Sequence, residues 1–533
     1  MVHKGILINS LRRSRMIQTV LLVLSGMLTG LTLIFPKLGF LQWVSIVPMA
    51  AVLFDTLHRS NARIMRIWLY GLAFFASYYL VVYHWFLGLP SLEFTGLGCA
   101  ATILVMLLGW LGVSFLQSIA GAFVIVAFAF IAKSRVAERH ALLKPITAGA
   151  LWCIFEWSQT LFWTGVPWGR LPIGQSECLL MLRSSAFLGS YFVTFVIVAV
   201  NFGIALMIIE RNRIKLCTAL ISSLMVFNLL LGSIAGLVYD NDGDDYSVAV
   251  IQGNIVSGEK WDMPVQDILD VYIEQSFLAA QQGVDLIIWP ETTIPITVDG
   301  NPSRASQIRS AAVMCGADIL VGMFTRNDEG ALQNSLVLFN RDGSISEDTY
   351  VKRRLVPFGE YVPMRGLFEV LIPPLTEVAM LEDDIARGTD SGLIEWNGTS
   401  IGSLVCFDSI YESETLESVR DGAELLILCT NDSWFDGTVA MDMHLAQAKM
   451  RAIESGRYVV RAANTGISAI IDGQGRTVDE LEPMMRGTMV CRVGTTSCVT
   501  LYGCVGNIWV YLAMLFVFVM GIGACCKKSQ KND

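Results

Sequence analysis

Three polar residues of this 533-residue chain have types that act together in acyl chemistry: Glu291, Lys352 and Cys406. A free thiol is only slightly ionised at neutral pH, so it needs a base or a nearby cation before it becomes a nucleophile. A carboxylate can take the thiol proton, and an ammonium can stabilise first the thiolate and then the oxyanion of a tetrahedral intermediate. Together the three predict an acyl-accepting cysteine.

Each member of this set also has a simpler explanation when it is taken alone. Cys406 follows the apolar run Ile401–Val405 and fits a core strand. Glu291 comes directly after Trp289-Pro290, where a turn is usual. Lys352 lies in a basic stretch and fits a solvated face. Composition and spacing alone leave both interpretations open.

The segment from about 240 to 500 has the elements needed to position such residues. Short β-branched runs predict strands, and stretches between them predict helices at 264–282 and 303–316. The predicted strands are 247–252, 285–289, 319–324, 334–339, 401–407, 425–429 and 458–471. This alternation predicts an α/β domain, in which functional groups gather at strand ends.

The rest of the chain is apolar. Hydrophobic residues make up 53% of the sequence and charged residues only 16%, whereas a soluble protein carries about a quarter charged residues. A membrane-spanning helix needs about 20 apolar residues. About eight such runs are present, near 16–35, 38–56, 66–88, 97–131, 145–163, 186–209, 215–238 and 505–524. The long run 97–131 is either one tilted helix or a hairpin around Gly109–Gly121.

Loop charges predict an orientation. The N-terminus and four alternate segments are rich in Lys and Arg: 59–66, 133–144, 211–215 and 527–531. Basic loops face the cytoplasm, so both termini are expected there and 240–500 outside, provided that 97–131 is one helix. The N-terminal run is read as a span rather than a signal peptide, because no small-residue cleavage site follows it.

Several partner classes are disfavoured. The net charge of −9 leaves no basic stripe for nucleic acid. The twelve cysteines and five histidines are dispersed, so we expect no metal site, disulfide framework or cofactor. Glu156 is the main charge within the apolar runs, which argues against a transporter or receptor. Glu156 itself either binds a lipid headgroup or pins helices, or is a hydrogen-bonded interior residue.

Four motifs, in chain order, carry a resemblance to a known family: Trp289-Pro290-Glu291-Thr292, Lys352 with Leu355-Val356-Pro357-Phe358-Gly359-Glu360-Tyr361, Cys406-Phe407-Asp408, and Asn431-Asp432-Ser433-Trp434-Phe435. Together with the apolar runs they resemble the apolipoprotein N-acyltransferases, the membrane branch of the nitrilase superfamily. Gln252-Gly253-Asn254-Ile255 and Trp261 add to this resemblance. It covers nearly the whole chain and is strongest over 247–470.

The resemblance implies an α/β fold plus a transmembrane helical bundle, with a nitrilase-like αββα sandwich inserted between the seventh and eighth helices. The expected domains are a bundle of about seven helices over 1–240, an extracytoplasmic catalytic domain over 241–500, and a last helix with a basic tail over 501–533. The implied location is the bacterial cytoplasmic (inner) membrane. We expect a monomer.

The resemblance also implies a reaction. Glu291 is the general base, Lys352 the oxyanion and thiolate stabiliser and Cys406 the nucleophile. A phospholipid donates an acyl chain to Cys406 as a thioester, and the α-amino group of the diacylglyceryl-cysteine of an apolipoprotein accepts it. Further family positions fall on residues with supporting roles: Glu360, which orients Lys352; Trp261, which places substrate; and Phe407, whose N–H serves the oxyanion hole. Phe407 stands where Tyr is more usual and Asp408 where Glu is usual, which leaves the role of Asp408 open.

Two questions remain open at this point. A membrane-tethered amidase or nitrilase-type hydrolase would use the same Glu-Lys-Cys triad, with water as the second nucleophile. Residues 363–385 are apolar and rich in proline. They form either a mobile arm that covers the thioester or a packed loop of the sandwich.

Overall fold

The computed structural model describes residues 15–59, 63–89, 98–239, 243, 245–260, 262–297, 302–371 and 384–529. The chain forms two compact units. The first comprises Met1–Leu87, Val105–Ala235 and Val505–Asp533, and the second Gly88–Leu104 and Gly236–Cys504. The second therefore carries all of the predicted triad.

Seven helices among the described residues are long and apolar enough to cross a membrane. They are Arg15–Ile34, Pro36–Leu57, Ile64–Gly88, Cys99–Ala132, Ser190–Ile209, Arg211–Val238 and Ile508–Cys525. The predicted run 145–163 folds as Leu143–Ser158, a helix of 16 residues, which is shorter than a span normally requires. Three short helices complete this part: Arg135–Arg139, Leu179–Leu182 and Ser185–Leu188. The eighth span stays a prediction.

The long apolar run forms one continuous helix, Cys99–Ala132, of 34 residues. At 1.5 Å per residue it is about 50 Å long, which exceeds the ~30 Å hydrocarbon core of a bilayer. The predicted hairpin around Gly109–Gly121 is therefore wrong. With a single helix here, the loops rich in Lys and Arg still alternate with the loops poor in them.

The Glu156 side chain is a hydrogen-bonded interior group of the helical unit, 1% exposed. Its carboxylate accepts hydrogen bonds from Trp152 Nε1 at 3.2 Å, the Leu171 N–H at 2.9 Å and Thr194 Oγ1 at 2.5 Å. Thr194 belongs to the helix Ser190–Ile209, so the carboxylate links two helices and the segment after the first of them. These contacts fit a pinning role in the interior.

The second unit contains thirteen described strands in two sheets. The strands are β1 Asp245–Gln252, β2 Leu286–Ile288, β3 Ile294–Thr297, β4 Asp318–Arg326, β5 Leu332–Phe339, β6 Ile345–Val351, β7 Ile394–Trp396, β8 Thr399–Val405, β9 Leu425–Thr430, β10 Val459–Ala463, β11 Ser468–Ile471, β12 Thr477–Leu481 and β13 Gly487–Gly494. The first sheet has the order β13-β1-β2-β4-β5-β6, with β3 beside β4, and the second β12-β11-β10-β9-β8-β7. The helices of this unit are Ser257–Lys260, Val265–Ala280, Pro302–Cys315, Arg365–Leu371, Glu412–Asp421 and Ala440–Ser455, and the helix Leu501–Val505 begins at its end.

The two sheets pack face to face between layers of helices. Val250 and Ile288 of the first sheet share one fully buried core with Val405 and Ile427 of the second. The helices Val265–Ala280 and Pro302–Cys315 cover the outer face of the first sheet. The helix Ala440–Ser455 covers that of the second. This is the expected αββα layering, and both sheets bury apolar side chains on two faces.

Two predicted strands differ from the structure. The run 458–471 is not one strand but the antiparallel pair β10 and β11, separated by a turn over 464–467. Gly466 in this turn lies against Asp432, and a Cβ there would come within 2.4 Å of a carboxylate oxygen. The run 401–407 ends as a strand at Val405, because the chain turns into a 3-10 helix at Cys406.

Candidate active site

The site residues follow strands that run in the same direction within each sheet. Strand β2 is parallel to β4, and β6 runs the same way because β4, β5 and β6 pair antiparallel in succession. Glu291 comes three residues after β2, and Lys352 directly after β6. In the other sheet β8 and β9 are parallel, and Cys406 and Asn431 directly follow them. Chain topology thus brings four polar positions to strand ends.

A buried ion cluster forms around Lys352, which is 2% exposed. Its Nζ donates to Glu291 Oε1 and to Glu360 Oε1, both at 2.9 Å. Asn334 Nδ2 donates to the same two oxygens, at 2.9 and 3.2 Å. The other oxygen of Glu291 accepts the Asn431 N–H at 2.8 Å. The lysine ammonium and the asparagine amide therefore each bridge the two glutamates.

Charge and burial fix the protonation of the lysine and the cysteine. Burial alone would lower the pKa of Lys352, but Glu291 and Glu360 together raise that pKa well above its usual value. Burial raises the pKa of Cys406 well above its usual value; Glu291 raises it further, and Lys352 opposes the rise. Before reaction the site therefore holds an ammonium and a neutral thiol, and the thiol proton must leave during attack.

The turn that carries Cys406 is strained and held in place by Asp408. Cys406 has φ +48°, in the left-handed region that non-glycine residues seldom adopt and that is frequent at functional sites. Asp408 Oδ2 accepts the Val405 N–H at 2.9 Å and the Tyr350 hydroxyl at 2.8 Å, and Oδ1 accepts the Arg354 N–H at 2.7 Å. Burial raises the pKa of Asp408 to about 6. Asp408 thus joins the cysteine turn to the strand that carries the lysine.

A second buried network lies behind the cysteine backbone. Ser409 Oγ donates to the Cys406 carbonyl at 2.8 Å and lies 2.9 Å from His444 Nε2. His444 Nδ1 lies 2.9 Å from Asp432 Oδ1, and Arg461 pairs with the other oxygen of Asp432. Burial would raise the pKa of Asp432, but Arg461 and His444 hold it far below its usual value. A fixed carboxylate therefore supports the strained turn from behind.

The structure brings together five of the residues predicted from sequence: Glu291, Lys352, Glu360, Cys406 and Asp408. The Phe407 ring packs edge-on against Tyr411, with centroids 5.4 Å apart. Trp261 and the stretch 372–383 of the 363–385 segment lie outside the described residues. Within the described ranges, no cluster of His, Cys, Asp and Glu is arranged to hold a metal ion.

Sequence reasoning missed three contributors to this site. Asn334 was only the first residue of a predicted strand, and its amide contacts both glutamates. Asn431 was part of a motif, but its backbone N–H is the group that contacts Glu291. Lys260 was not considered, although it is 3% exposed and its Nζ contacts the Thr292 carbonyl. The position of Lys260 within the stretch from Gln252 to Trp261, which carries part of the family resemblance, could have marked it as a site residue.

Comparison with known proteins places the chain in a family. The family model for carbon-nitrogen hydrolases matches residues 247–497, and that for the apolipoprotein N-acyltransferase N-terminal domain matches 25–203. The apolipoprotein N-acyltransferase of Pseudomonas syringae pv. tomato is 30% identical over 72% of this chain and 75% of that protein. The chain belongs to the apolipoprotein N-acyltransferase family. The family member from Gloeobacter violaceus is 29% identical over 98% of this chain and 97% of that protein. The one from Allorhizobium ampelinum is 32% identical over 65% and 67%.

Among solved structures, a Nesterenkonia amidase of the nitrilase superfamily matches with a TM-score of 0.38 and 17% identity, over 51% of this chain and 97% of that one. Family membership confirms the resemblance, the acyltransferase class and the fold class, in which a nitrilase-like domain accompanies several apolar helices of a membrane protein. The match to the acyltransferase N-terminal domain favours this class over the hydrolase alternative. The number of membrane helices and the point of insertion stay predictions.

Proposed function

We propose that this protein transfers a fatty acyl chain from a membrane phospholipid to the α-amino group of the N-terminal diacylglyceryl-cysteine of lipoproteins, the last step of lipoprotein maturation. The observation that carries the proposal is the ammonium of Lys352 between Glu291 and Glu360, on the strand ends where Cys406 also lies, in a chain of this family. Lipid and lipoprotein substrates fit the apolar helices, since acyl chains then need not cross water.

The first half-reaction forms a thioester. Glu291 takes the proton of Cys406 as the sulfur attacks the ester carbonyl of the phospholipid. Lys352 and the Phe407 N–H stabilise the oxyanion. When the intermediate collapses, the carbon–oxygen bond breaks and Glu291 returns the proton to the departing glycerol oxygen. The products are a lysophospholipid and acyl-Cys406. Glu360 orients Lys352 throughout, and Trp261 places the substrate.

The second half-reaction forms an amide. The lipoprotein amine attacks the thioester carbonyl, and its excess proton passes to Glu291. The carbon–sulfur bond then breaks, and Glu291 returns that proton to the Cys406 sulfur. The lipoprotein leaves with three acyl chains, the third joined to its N-terminal nitrogen as an amide, and the enzyme is restored. The reaction is ping-pong because one cysteine serves donor and acceptor in turn.

The proposed arrangement in the bacterial cytoplasmic membrane rests on the loop charges, on the single helix Cys99–Ala132 and on the eighth span predicted near 145–163. Residues 1–240 form the membrane bundle, 241–500 the catalytic domain and 501–533 a last helix with a cytoplasmic tail. Both termini face the cytoplasm and the catalytic domain faces outward. We propose that the enzyme acts as a monomer.

The test follows a labelled acyl chain from phospholipid to a diacylated lipopeptide. The wild-type protein should carry the acyl adduct on Cys406 by intact mass, and lipopeptide should discharge it. Cys406→Ala should carry none, whereas Cys504→Ala, at an exposed cysteine of the same unit, should behave as wild type. An adduct that persists in Cys406→Ala would exclude this nucleophile. Release to water in the presence of lipopeptide would favour the hydrolase.

A further inference from the structure

A second lysine is buried beside the ion cluster. Lys260 ends the short helix Ser257–Lys260 and is 3% exposed. Its ammonium donates to the carbonyl oxygen of Thr292, the residue that follows Glu291. Burying a cation removes its hydration, which opposes folding unless the charge is compensated. An apolar side chain would fill the same space without that penalty, so the charge itself requires an explanation.

The backbone that Lys260 contacts is strained. Thr292 has φ +41°, in the left-handed region that a β-branched residue seldom adopts. Two other hydrogen bonds hold this turn: the Thr293 N–H donates to the Gly322 carbonyl and Thr293 Oγ1 to the Pro290 carbonyl, both at 2.7 Å. Lys260 adds a third tie at the strained residue. Because the preceding carboxylate takes its direction from this backbone, the tie also orients the proposed base.

The charge of Lys260 offsets negative charge beside Glu291. Glu291 and Glu360 carry two negative charges, and Lys352 supplies one positive charge. That group alone would hold one net negative charge where the oxyanion of the intermediate must form. Lys260 interacts electrostatically with Glu291 and adds a second positive charge beside these groups. Its charge therefore favours the step in which negative charge develops.

We propose that Lys260 is a positioning residue for acyl transfer, whose ammonium holds the turn carrying Glu291 and offsets the excess negative charge of the cluster. The proposal rests on the function proposed above and adds a residue to it. Lys260 acts through Glu291 and need not touch the substrate.

The ammonium form of Lys260 is needed, which gives the proposal a pH signature. Burial lowers the pKa of Lys260 to about 8, and Glu291 opposes the lowering. Among the described residues, the other groups that interact with Glu291 and ionise on the alkaline side are Lys352, Cys406 and Cys429. The pKa of each of these is raised, Lys352 by its carboxylates against burial and both thiols by burial, so none titrates near pH 8. The acylation rate should therefore fall as pH rises through about 8.

The experiment compares Lys260→Met, which removes the charge, with Lys260→Arg, which keeps it. The full chain is placed in nanodiscs of phosphatidylethanolamine and phosphatidylglycerol. Single-turnover acylation of Cys406 is followed by quenched intact mass, with the phospholipid and separately with p-nitrophenyl octanoate. Lys449→Met is the matched control, because Lys449 is a buried lysine on the helix Ala440–Ser455. Melting temperatures establish that each variant is folded.

We expect acylation by Lys260→Met to be roughly 10- to 100-fold slower, from loss of one charge near the reaction centre. Lys260→Arg should recover most of the rate, and its alkaline fall should move to higher pH. Lys260→Met should lack that fall, and Lys449→Met should remain within about twofold of wild type in the same comparison.

Wild-type rates in folded Lys260→Met would overturn the proposal. Equal slowing of Lys260→Met and Lys260→Arg with an unchanged pH profile would also overturn it, because that result indicates a packing role for Lys260. If wild-type protein reacts with the nitrophenyl ester but not with phospholipid, the proposed donor is wrong, and the ester series still decides the role of Lys260.

Discussion

Replacing Glu360 with glutamine tests whether the ion cluster orients the lysine. Both oxygens of the Glu360 carboxylate are in use. Oε1 accepts from Lys352 Nζ at 2.9 Å and Asn334 Nδ2 at 3.2 Å, and Oε2 accepts the Val356 N–H at 2.8 Å. Glutamine keeps the shape but replaces one oxygen with an NH2 group. In either orientation of the amide, that NH2 faces a donor.

The expected size of the effect follows from these contacts. A hydrogen bond to a charged group contributes about 1.5–3 kcal/mol. If this loss falls on the transition state, acylation of Cys406 slows about 10- to 150-fold. The alkaline fall in the activity of the variant should also begin at a lower pH than in the wild-type protein. The two carboxylates keep Lys352 protonated in the folded protein by raising its pKa, and removing one lets the ammonium lose its proton earlier.

The assay is single-turnover acylation of Cys406 by phospholipid across the alkaline range, with melting temperature as the check on folding. Glu417→Gln is the control, because Glu417 is likewise a glutamate paired with a basic residue, Arg353, but its side chain is 53% exposed. It should remain within about twofold of wild type. If folded Glu360→Gln matches this control in rate and pH profile, Glu360 does not orient Lys352 and the reasoning is refuted.

Three further outcomes are expected. Burial raises the pKa of Asp408 to about 6, so protonation of Asp408 stabilises the folded protein at low pH, and this contribution is lost as pH rises from about 4 through 6. Asp408→Asn should therefore narrow the difference in melting temperature between pH 5 and pH 7. An unchanged difference would count against this role of Asp408. Gly466→Ala should destabilise the protein by about 1–3 kcal/mol in chemical unfolding, because the added Cβ would overlap Asp432. Gly521→Ala is the control, since a Cβ there would meet open space. Equal stability of the two variants would contradict the packing at Gly466. Glu156→Gln should destabilise the protein in detergent by about 1–3 kcal/mol, because one of the three donors loses its acceptor. The acylation rate per folded molecule should stay unchanged. An altered preference for the phospholipid headgroup would instead indicate a lipid site.

Local sequence patterns predicted much of the catalytic domain. Apolar, β-branched runs predicted the buried cores of β1, β4, β8 and β9, because such runs seldom fit other structures when turn residues bound them. The polar strand β6, which leads to Lys352, was missed, because its side chains are only partly buried and give no apolar pattern. The run 458–471 was read as one strand because the turn at Gly466 lies between two apolar halves.

Contacts between distant segments explain why part of the site could not be predicted. Asn334 lies 43 residues from Glu291, and the Asn431 N–H lies 140 residues from it. Each meets the carboxylate only because the two sheets pack with a particular register. Asp408 gave no signal of its role for the same reason, since Tyr350 lies 58 residues away.

The sequence by itself determined the residue types of the reaction, the positions of Glu291 and Cys406 after strands and the membrane character of the chain. These follow from local composition and periodicity, and the motif order identified the family. The tertiary structure alone decided how the charges combine. It placed Lys352 between two carboxylates and brought Lys260 to the turn of Glu291. It also gave the Asp408 carboxylate hydrogen bonds from four donors. Such contacts depend on the packing of segments far apart in the chain, and no local pattern encodes that packing.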